Sequence, residues 1–374
     1  MRYLFMLVVL LCLPPLAGMA VETELVSPGT VNPHCLSFID AQHGVLLGGH
    51  SMGKPGCAIQ YTEDGGQTWK DAKLDVELSN DVAEGLCMAN AQVGWAVAVV
   101  LSPRTQVLLK TVDGGKSWAK QNQPALEKCW VLGQIWFDSA GKKGWINTNN
   151  GPIFMTKNGG VNWAPVEVAN YTGGPFTYKD KPMPASFTHA GMHVFSFEHV
   201  MLGGMGGLFL ETTDAGTSWT ARQVPVKYET GANPGITGLH FAADGKSGWA
   251  IGGDGKMLTN PNGHAQFESP IVMRTKDGGQ TWERVKIPSV NPANDVWAIS
   301  ADEAWLCSRR GYGMQTPPPG YLLHTTDGGK TWSDESPGTG SLWKLAFPDK
   351  AHGFASGGAG GGVEAESTLV LITP

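Results

Sequence analysis

One pattern constrains this chain more than any other feature: Thr-x-Asp-x-Gly-x-Ser/Thr-Trp recurs six times. The first copy is Thr62-Glu63-Asp64-Gly65-Gly66-Gln67-Thr68-Trp69, and the second runs from Thr111 through Asp113 and Gly115 to Trp118. A degenerate third has Thr156, Asn158, Gly160, Asn162 and Trp163. The fourth carries Thr212, Asp214, Gly216, Ser218 and Trp219, and the fifth Thr275, Asp277, Gly279, Thr281 and Trp282. The sixth has Thr325, Asp327, Gly329, Thr331 and Trp332. The opening threonines are 49, 45, 56, 63 and 50 residues apart, a quasi-regular period that marks a repeat architecture.

Each copy has the chemistry of a tight turn. Asp accepts backbone N–H groups of the residues that follow it, and glycine supplies the positive φ that a turn needs. One carboxylate per turn is too few for a calcium loop, which gathers several oxygen ligands. The Asp or Asn of each turn and the Trp that follows are therefore expected to be structural.

Upstream of each turn lies a short apolar strand, usually led by glycine: Gly44-Val45-Leu46-Leu47, Gly94-Trp95-Ala96-Val97, Gly144-Trp145-Ile146. The series continues with Val200-Met201-Leu202, Gly248-Trp249-Ala250-Ile251, Ala304-Trp305-Leu306 and Gly353-Phe354-Ala355, seven in all. A further strand precedes each, so one unit reads as four strands of about 51 residues, a propeller-blade length. The seventh unit stops at its third strand, Thr368-Leu369-Val370-Leu371-Ile372, while Glu22 to Val26 resembles the fourth strands. The sequence predicts an all-β fold, a single seven-bladed β-propeller over residues 21–374, its last blade closed by the N-terminal strand.

Composition agrees with that scaffold. The 374 residues include 51 Gly and 14 Trp but only 16% charged residues, as expected of short buried strands joined by tight turns. Thirteen of the tryptophans hold repeat positions, leaving Trp130 in a connection. The net charge of −6 leaves no general basic surface for nucleic acid.

The pattern is the Asp-box, or BNR, repeat. With seven units, an export signal and Gly-Trp-Ala…Asp-Gly-Gly-x-Thr-Trp, the chain resembles the photosystem II stability/assembly-factor-like propellers over most of its length. That resemblance implies a non-enzymatic binding or assembly factor with a basic cluster on the propeller surface.

Residues 1–20 read as a secretory signal: Arg2, the apolar run Leu4 to Leu13, and Gly18-Met19-Ala20 before a cleavage after Ala20. Leu11 before Cys12 argues for soluble export rather than lipidation, so a periplasmic or secreted protein is expected. No later segment has the apolar length of a transmembrane helix. Five cysteines remain, Cys35, Cys57, Cys87, Cys129 and Cys307, with no C-x-x-C pair. One or two disulfides are open to them in an oxidising compartment, with no pairing specified.

The Asp turns occupy one rim of such a propeller, and the long insertions fall on the other: His50 to Lys54, Asn170 to Phe187, Gly253 to Pro270, Ser308 to Tyr321 and Gly357 to Ser367. Loops on a rigid scaffold concentrate binding residues. Arg309, Arg310 and Tyr312 in the blade-six insertion are the candidate partner-binding residues, because arginine forks suit carboxylates and stack on aromatic rings. The expected partner is a protein or cell-envelope component, bound by a monomer that needs no cofactor and no metal. Met183, His189, Met192, His193, His199 and Met201 have the ligand types of a copper site but no fixed spacing. Packing accounts for them equally well.

The alternative is a glycoside hydrolase or glycan-binding propeller of sialidase type, which needs an arginine triad with a Tyr and a carboxylate. Arg104, Arg222 and Arg309 or Arg310 would have to converge on the central channel. Gly49-His50-Ser51-Met52-Gly53 matches a nucleophile elbow by letter but has no following helix. Residues 48–54 match a phosphate loop up to Lys54, but Pro55 stands where Ser or Thr should hold magnesium.

Overall fold

The computed structural model of the chain describes residues 21–373, apart from 27–30, 51–55, 80–84, 101–104, 128–131, 149–151, 169–176, 179–180, 183–188, 225–234, 260–264, 290, 310–319, 339 and 359–366. The expected signal segment, residues 1–20, lies outside the described residues. The chain folds into seven antiparallel blades arranged as a β-propeller. The inner strands of blades one to seven are Val31–Phe38, Gly85–Met88, Leu132–Phe137, His189–Val194, Gly235–Phe241, Asp295–Ala298 and Ser341–Asp349.

Ring closure follows the terminal pattern of the sequence. Glu22–Val26 pairs antiparallel with Ser367–Thr373, from Glu22 opposite Thr373 to Val26 opposite Leu369, and forms the fourth strand of blade seven. Blade two departs from four strands. Lys73–Leu74, on the way out of blade one, pairs parallel with Ser117–Gln121 as a fifth strand and covers that exposed edge. The Gly253 to Pro270 insertion is mostly not a loop. Blade five's middle strands, Gly248–Thr259 and Ala265–Thr275, stay paired over most of its length. A two-stranded hairpin, Thr177–Tyr178 with Lys181–Pro182, lies within the blade-three-to-four insertion.

The leading glycines of the second strands have a packing reason. A Cβ on Gly44, Gly144, Gly248 or Gly353 would come within 2.2–2.7 Å of the ring of Phe38, Phe137, Phe241 or Phe347. On Gly94 it would meet the Met88 sulfur at 2.3 Å. Where the inner strand ends in a smaller residue the glycine is replaced: Val194 faces Val200, and Ala298 faces Ala304. Each cross-strand pair thus conserves volume, as close packing demands.

Within each Asp turn the side chains satisfy one another. Thr62 Oγ1 donates to Asp64 Oδ1 (2.8 Å) and accepts the Gly66 N–H (2.9 Å). Asp64 Oδ1 then accepts the Thr68 N–H (2.9 Å) and Oδ2 accepts the Thr68 hydroxyl. The same set recurs around Asp113, Asp214, Asp277 and Asp327. The third copy keeps the bonds to one oxygen only, Thr156 Oγ1 and the Asn162 N–H both reaching Asn158 Oδ1 at 3.0 Å. These bonds hold the Asp277 and Asp327 carboxyls down at about 2, chiefly through the hydroxyls of Thr281 and Thr331.

The large aromatic residues lock blade to blade. Trp95, Trp145, Trp249 and Trp305 are fully buried, and each reaches the following blade. Trp95 stacks on Phe137 at 3.5 Å, Trp145 meets Phe197 at 5.6 Å, Trp249 meets Trp332 at 5.8 Å and Trp305 meets Phe347 at 5.5 Å. The closing seam between blades seven and one is held by Phe38 stacked on Phe354 at 3.5 Å, with Leu36, Ala346 and Leu369 around them.

Candidate functional site

The inner strand of every blade turns one unpaired edge toward its neighbour, and a buried N–H without an acceptor is costly. Six of the seven seams answer that demand in the same way. A side chain on one inner strand accepts a backbone N–H from the next. Ser37 Oγ accepts from Met88 (3.0 Å), the Cys87 sulfur from Phe137, and Gln134 Oε1 from Met192 (2.6 Å). His193 Nδ1 accepts from Phe241 (3.4 Å), His240 Nδ1 from Ala298 (3.1 Å), and Asp295 Oδ2 from Leu345 (2.9 Å). These residues line a central channel of about 390 Å³ together with Trp136, Trp297 and Lys344.

The seventh seam, between blades seven and one, carries an aromatic pair near the starts of its two inner strands. β-Bulges interrupt the inner strands between Pro33 and Cys35 and between Leu342 and Lys344, and a bulge re-aims the side chain it carries. The residues at those points, His34 and Trp343, face each other with ring centroids 5.8 Å apart. Arg309 joins them from blade six. Its guanidinium stands 6.0 Å from the Trp343 ring, at the edge of cation–π range.

The base of the blade-six insertion fixes that position. Ser308 donates its N–H to Tyr321 O (3.0 Å), and its own carbonyl accepts the Leu342 N–H of blade seven (3.0 Å). The Ser308 hydroxyl and Asn291 Nδ2 both donate to the Arg309 carbonyl, at 3.2 and 3.5 Å. Burial pushes the His34 imidazole below its ordinary value, so at neutral pH it meets Trp343 uncharged. Arg309, Trp343 and His34 thus form a half-buried cationic and aromatic cluster on the long-loop rim, suited to a carboxylate or to the face of a peptide segment. Arg310 and Tyr312 lie outside the described residues.

Among the described arginines of the glycosidase alternative, Arg222 does not join Arg309 here. Arg222 is held on the flank of blade four by Glu211 and by Gln280 of blade five, at 2.8 and 2.9 Å. Arg274 is paired with Glu283. Arg104 lies outside the described residues. Tyr321 is buried and donates its hydroxyl to Asn291 O. Glu198 pairs with Lys143 at 2.9 Å, and Asp295 stands in the channel.

The described residues of the copper reading have other roles. Met192 and Met201 are buried in the hydrophobic core, His193 serves a seam, and His199 bonds Glu211 at 2.8 Å. Met183 lies outside the described residues. Among the described residues no group of three His, Cys, Asp or Glu is placed to hold a metal ion. Cys87 and Cys307 are free thiols, so neither forms one of the disulfides left open by the sequence. Their strand positions serve packing and, for Cys87, a seam.

The seam histidines make the ring acid-sensitive. Burial holds His240 down at about 4 and pushes His193 well below its ordinary value. Between pH 6.5 and 4 the unfolded chain binds a proton at His240 that the folded chain refuses, so stability falls as pH falls through that window. The loss from His240 is about 3 kcal/mol. His240→Asn keeps an acceptor for the Ala298 N–H and removes the titration. Its melting temperature is expected to fall less steeply from pH 7 to pH 4 than that of the unmutated protein, and parallel curves for the two would contradict this. Asp295, raised by burial, titrates with the opposite sign in both proteins and cancels from the comparison.

With this geometry described, comparison with known proteins is informative. Residues 23–173 match the family model of the photosynthesis system II assembly factor YCF48. The photosystem II assembly lipoprotein Ycf48 of Synechococcus sp. (strain CC9902) is 22% identical over 316 residues, which is 75% of this chain and 83% of that one. This chain is an Asp-box propeller resembling the photosystem II stability/assembly factors. The chloroplastic stability/assembly factor HCF136 of Oryza sativa subsp. japonica is also 22% identical, over 86% of this chain and 75% of its own. The fold agrees with a solved structure described as YCF48 bound to D1 peptide, with a TM-score of 0.61 at 19% identity and 94% of each chain covered. YCF48 from Cyanidioschyzon merolae gives 0.62 at 18% identity, covering 94% of this chain and 98% of that one.

Proposed function

We propose that this chain is an exported, non-enzymatic assembly factor that holds a protein partner, or another envelope component, on its long-loop rim. The observation that carries the reading is the asymmetry of the two rims. On one, the Asp-turn carboxylates are already committed to bonds within their own turns. The other carries the insertions and the Arg309–Trp343–His34 cluster at the channel mouth. The comparisons support the same reading, since the relatives are named as assembly factors and one is described with a bound peptide.

Arg309 anchors the partner, with Arg310 and Tyr312 extending the contact from the same insertion. The blades supply geometry and the insertions supply selectivity. Residues 1–20 direct export and are removed. One propeller closed by its own N-terminal strand suffices as a monomer.

The test is crosslinking and capture with the exported protein in its own host. Arg309→Ala/Trp343→Ala is expected to lose the captured partner while melting like the unmutated protein. The same partner captured at the same yield by the double variant would remove this site from the function.

A further inference from the structure

The third Asp turn differs from the other five in a way that partner binding does not use. Asn158 stands where they carry Asp, and Gly159 follows it. Asparagine is among the thermolabile residues, and before glycine no neighbouring Cβ shields the backbone nitrogen that its carboxamide can meet.

In the folded turn both reactants are restrained. Asn158 is exposed, but its Oδ1 accepts from the Thr156 hydroxyl and from the Asn162 N–H, both at 3.0 Å. Gly159 is buried, and its N–H donates to Lys142 O at 2.7 Å. Blade two clamps the turn from the other side. Lys110 Nζ donates to Gly159 O at 3.2 Å and lies over the Trp95 ring, while the buried Gln123 Nε2 donates to Gly160 O. Attack on the carboxamide requires the Gly159 nitrogen to give up its proton and Cγ to swing onto it, and these bonds oppose both.

We propose that Asn158 is a deamidation site gated by the contacts of turn three with blade two. When local opening frees the turn, the Gly159 nitrogen attacks Asn158 Cγ and loses its proton. The new N–C bond closes a cyclic imide, the Cγ–Nδ2 bond breaks and ammonia leaves. Water then opens the imide at either carbonyl, leaving aspartate or isoaspartate at position 158. Aspartate supplies the carboxylate of the other five turns, with the Asn162 side-chain amide able to donate where they have a hydroxyl. Isoaspartate adds a methylene to the backbone and breaks the spacing from Thr156 to Asn162. The change is one-way, so position 158 records openings of blade three. The site lies on the Asp-turn rim, and its chemistry is independent of what the other rim holds.

Peptide mapping by mass spectrometry tests this on the exported protein kept at mildly alkaline pH, native and in urea, with electron-transfer fragmentation separating aspartate from isoaspartate. Asn150 and Asn262 also precede glycine and serve as references in urea. Asn158 is expected to lose its amide about tenfold or more slowly in the native protein than in urea. Lys110→Met/Gln123→Ala should raise the native rate about threefold or more and leave the rate in urea unchanged. Equal native and urea rates would overturn the gate. An Asn158 that stays intact in urea while Asn150 and Asn262 react would overturn the site. A native rate unchanged in the folded double variant would overturn the role of blade two. If the double variant does not fold, Lys110→Met alone is read in the same way, because methionine keeps the packing on Trp95.

Discussion

Trp249→Ala is expected to lower the stability of the propeller by about 3–5 kcal/mol, the usual cost of deleting a fully buried indole. Trp249 is 0% exposed and sits at the seam between blades five and six, its ring 5.8 Å from Trp332. Its Nε1–H donates to Ser300 O at 3.2 Å, so truncation leaves a cavity and also strips a carbonyl of its partner. For a chain of this length the loss corresponds to a fall of roughly 4–7 °C in melting temperature. Trp249→Phe should recover part of that loss by refilling the seam without restoring the bond. A melting temperature unchanged in the alanine variant would mean that the seams do not carry the stability assigned to them.

Removing Glu22–Val26 is expected to be worse, because it opens the ring rather than thinning one seam. The five residues pair with Ser367–Thr373 along their full length. Without them, Leu369, Val370, Leu371 and Ile372 belong to an uncovered edge strand, a template for pairing with other chains. A protein beginning at Ser27 should melt at least roughly 5 °C lower and run as oligomers or aggregates in size-exclusion chromatography. A monodisperse monomer with the original melting temperature would show that blade seven holds without its fourth strand.

Much of this architecture was legible because it is written locally. Thr62, Asp64, Gly66 and Thr68 lie within seven residues and bond to one another, so the turn shows itself as a spaced pattern. The glycine-led strands were equally visible, although the reason for Gly44 or Gly248 is the ring of Phe38 or Phe241 packed against it. Closure by the N-terminal strand followed from counting strands at the two ends.

The site was legible only in part. Arg309 stood out as one of few arginines in a rim insertion, but its neighbours Trp343 and His34 read as ordinary inner-strand residues. Bulges bring those two together across the closing seam, and a bulge adds one residue without leaving a composition signal. The seam acceptors were missed for another reason. Ser37, Cys87, Gln134, His193, His240 and Asp295 span five residue types and have in common only a side-chain lone pair at a similar place in successive inner strands. A search for that property at the repeat period would have found them.

The sequence by itself determined the number of blades, the chemistry of the Asp turns, the rim that bears the insertions and the way the ring closes. Each depends on contacts within one turn or on a period repeated along the chain. Only the tertiary structure decided which side chains meet at the channel mouth, and which side chains accept the N–H groups across the seams. Those depend on contacts between residues of different blades, about 48 to more than 300 positions apart, whose partners are chosen by the closed ring.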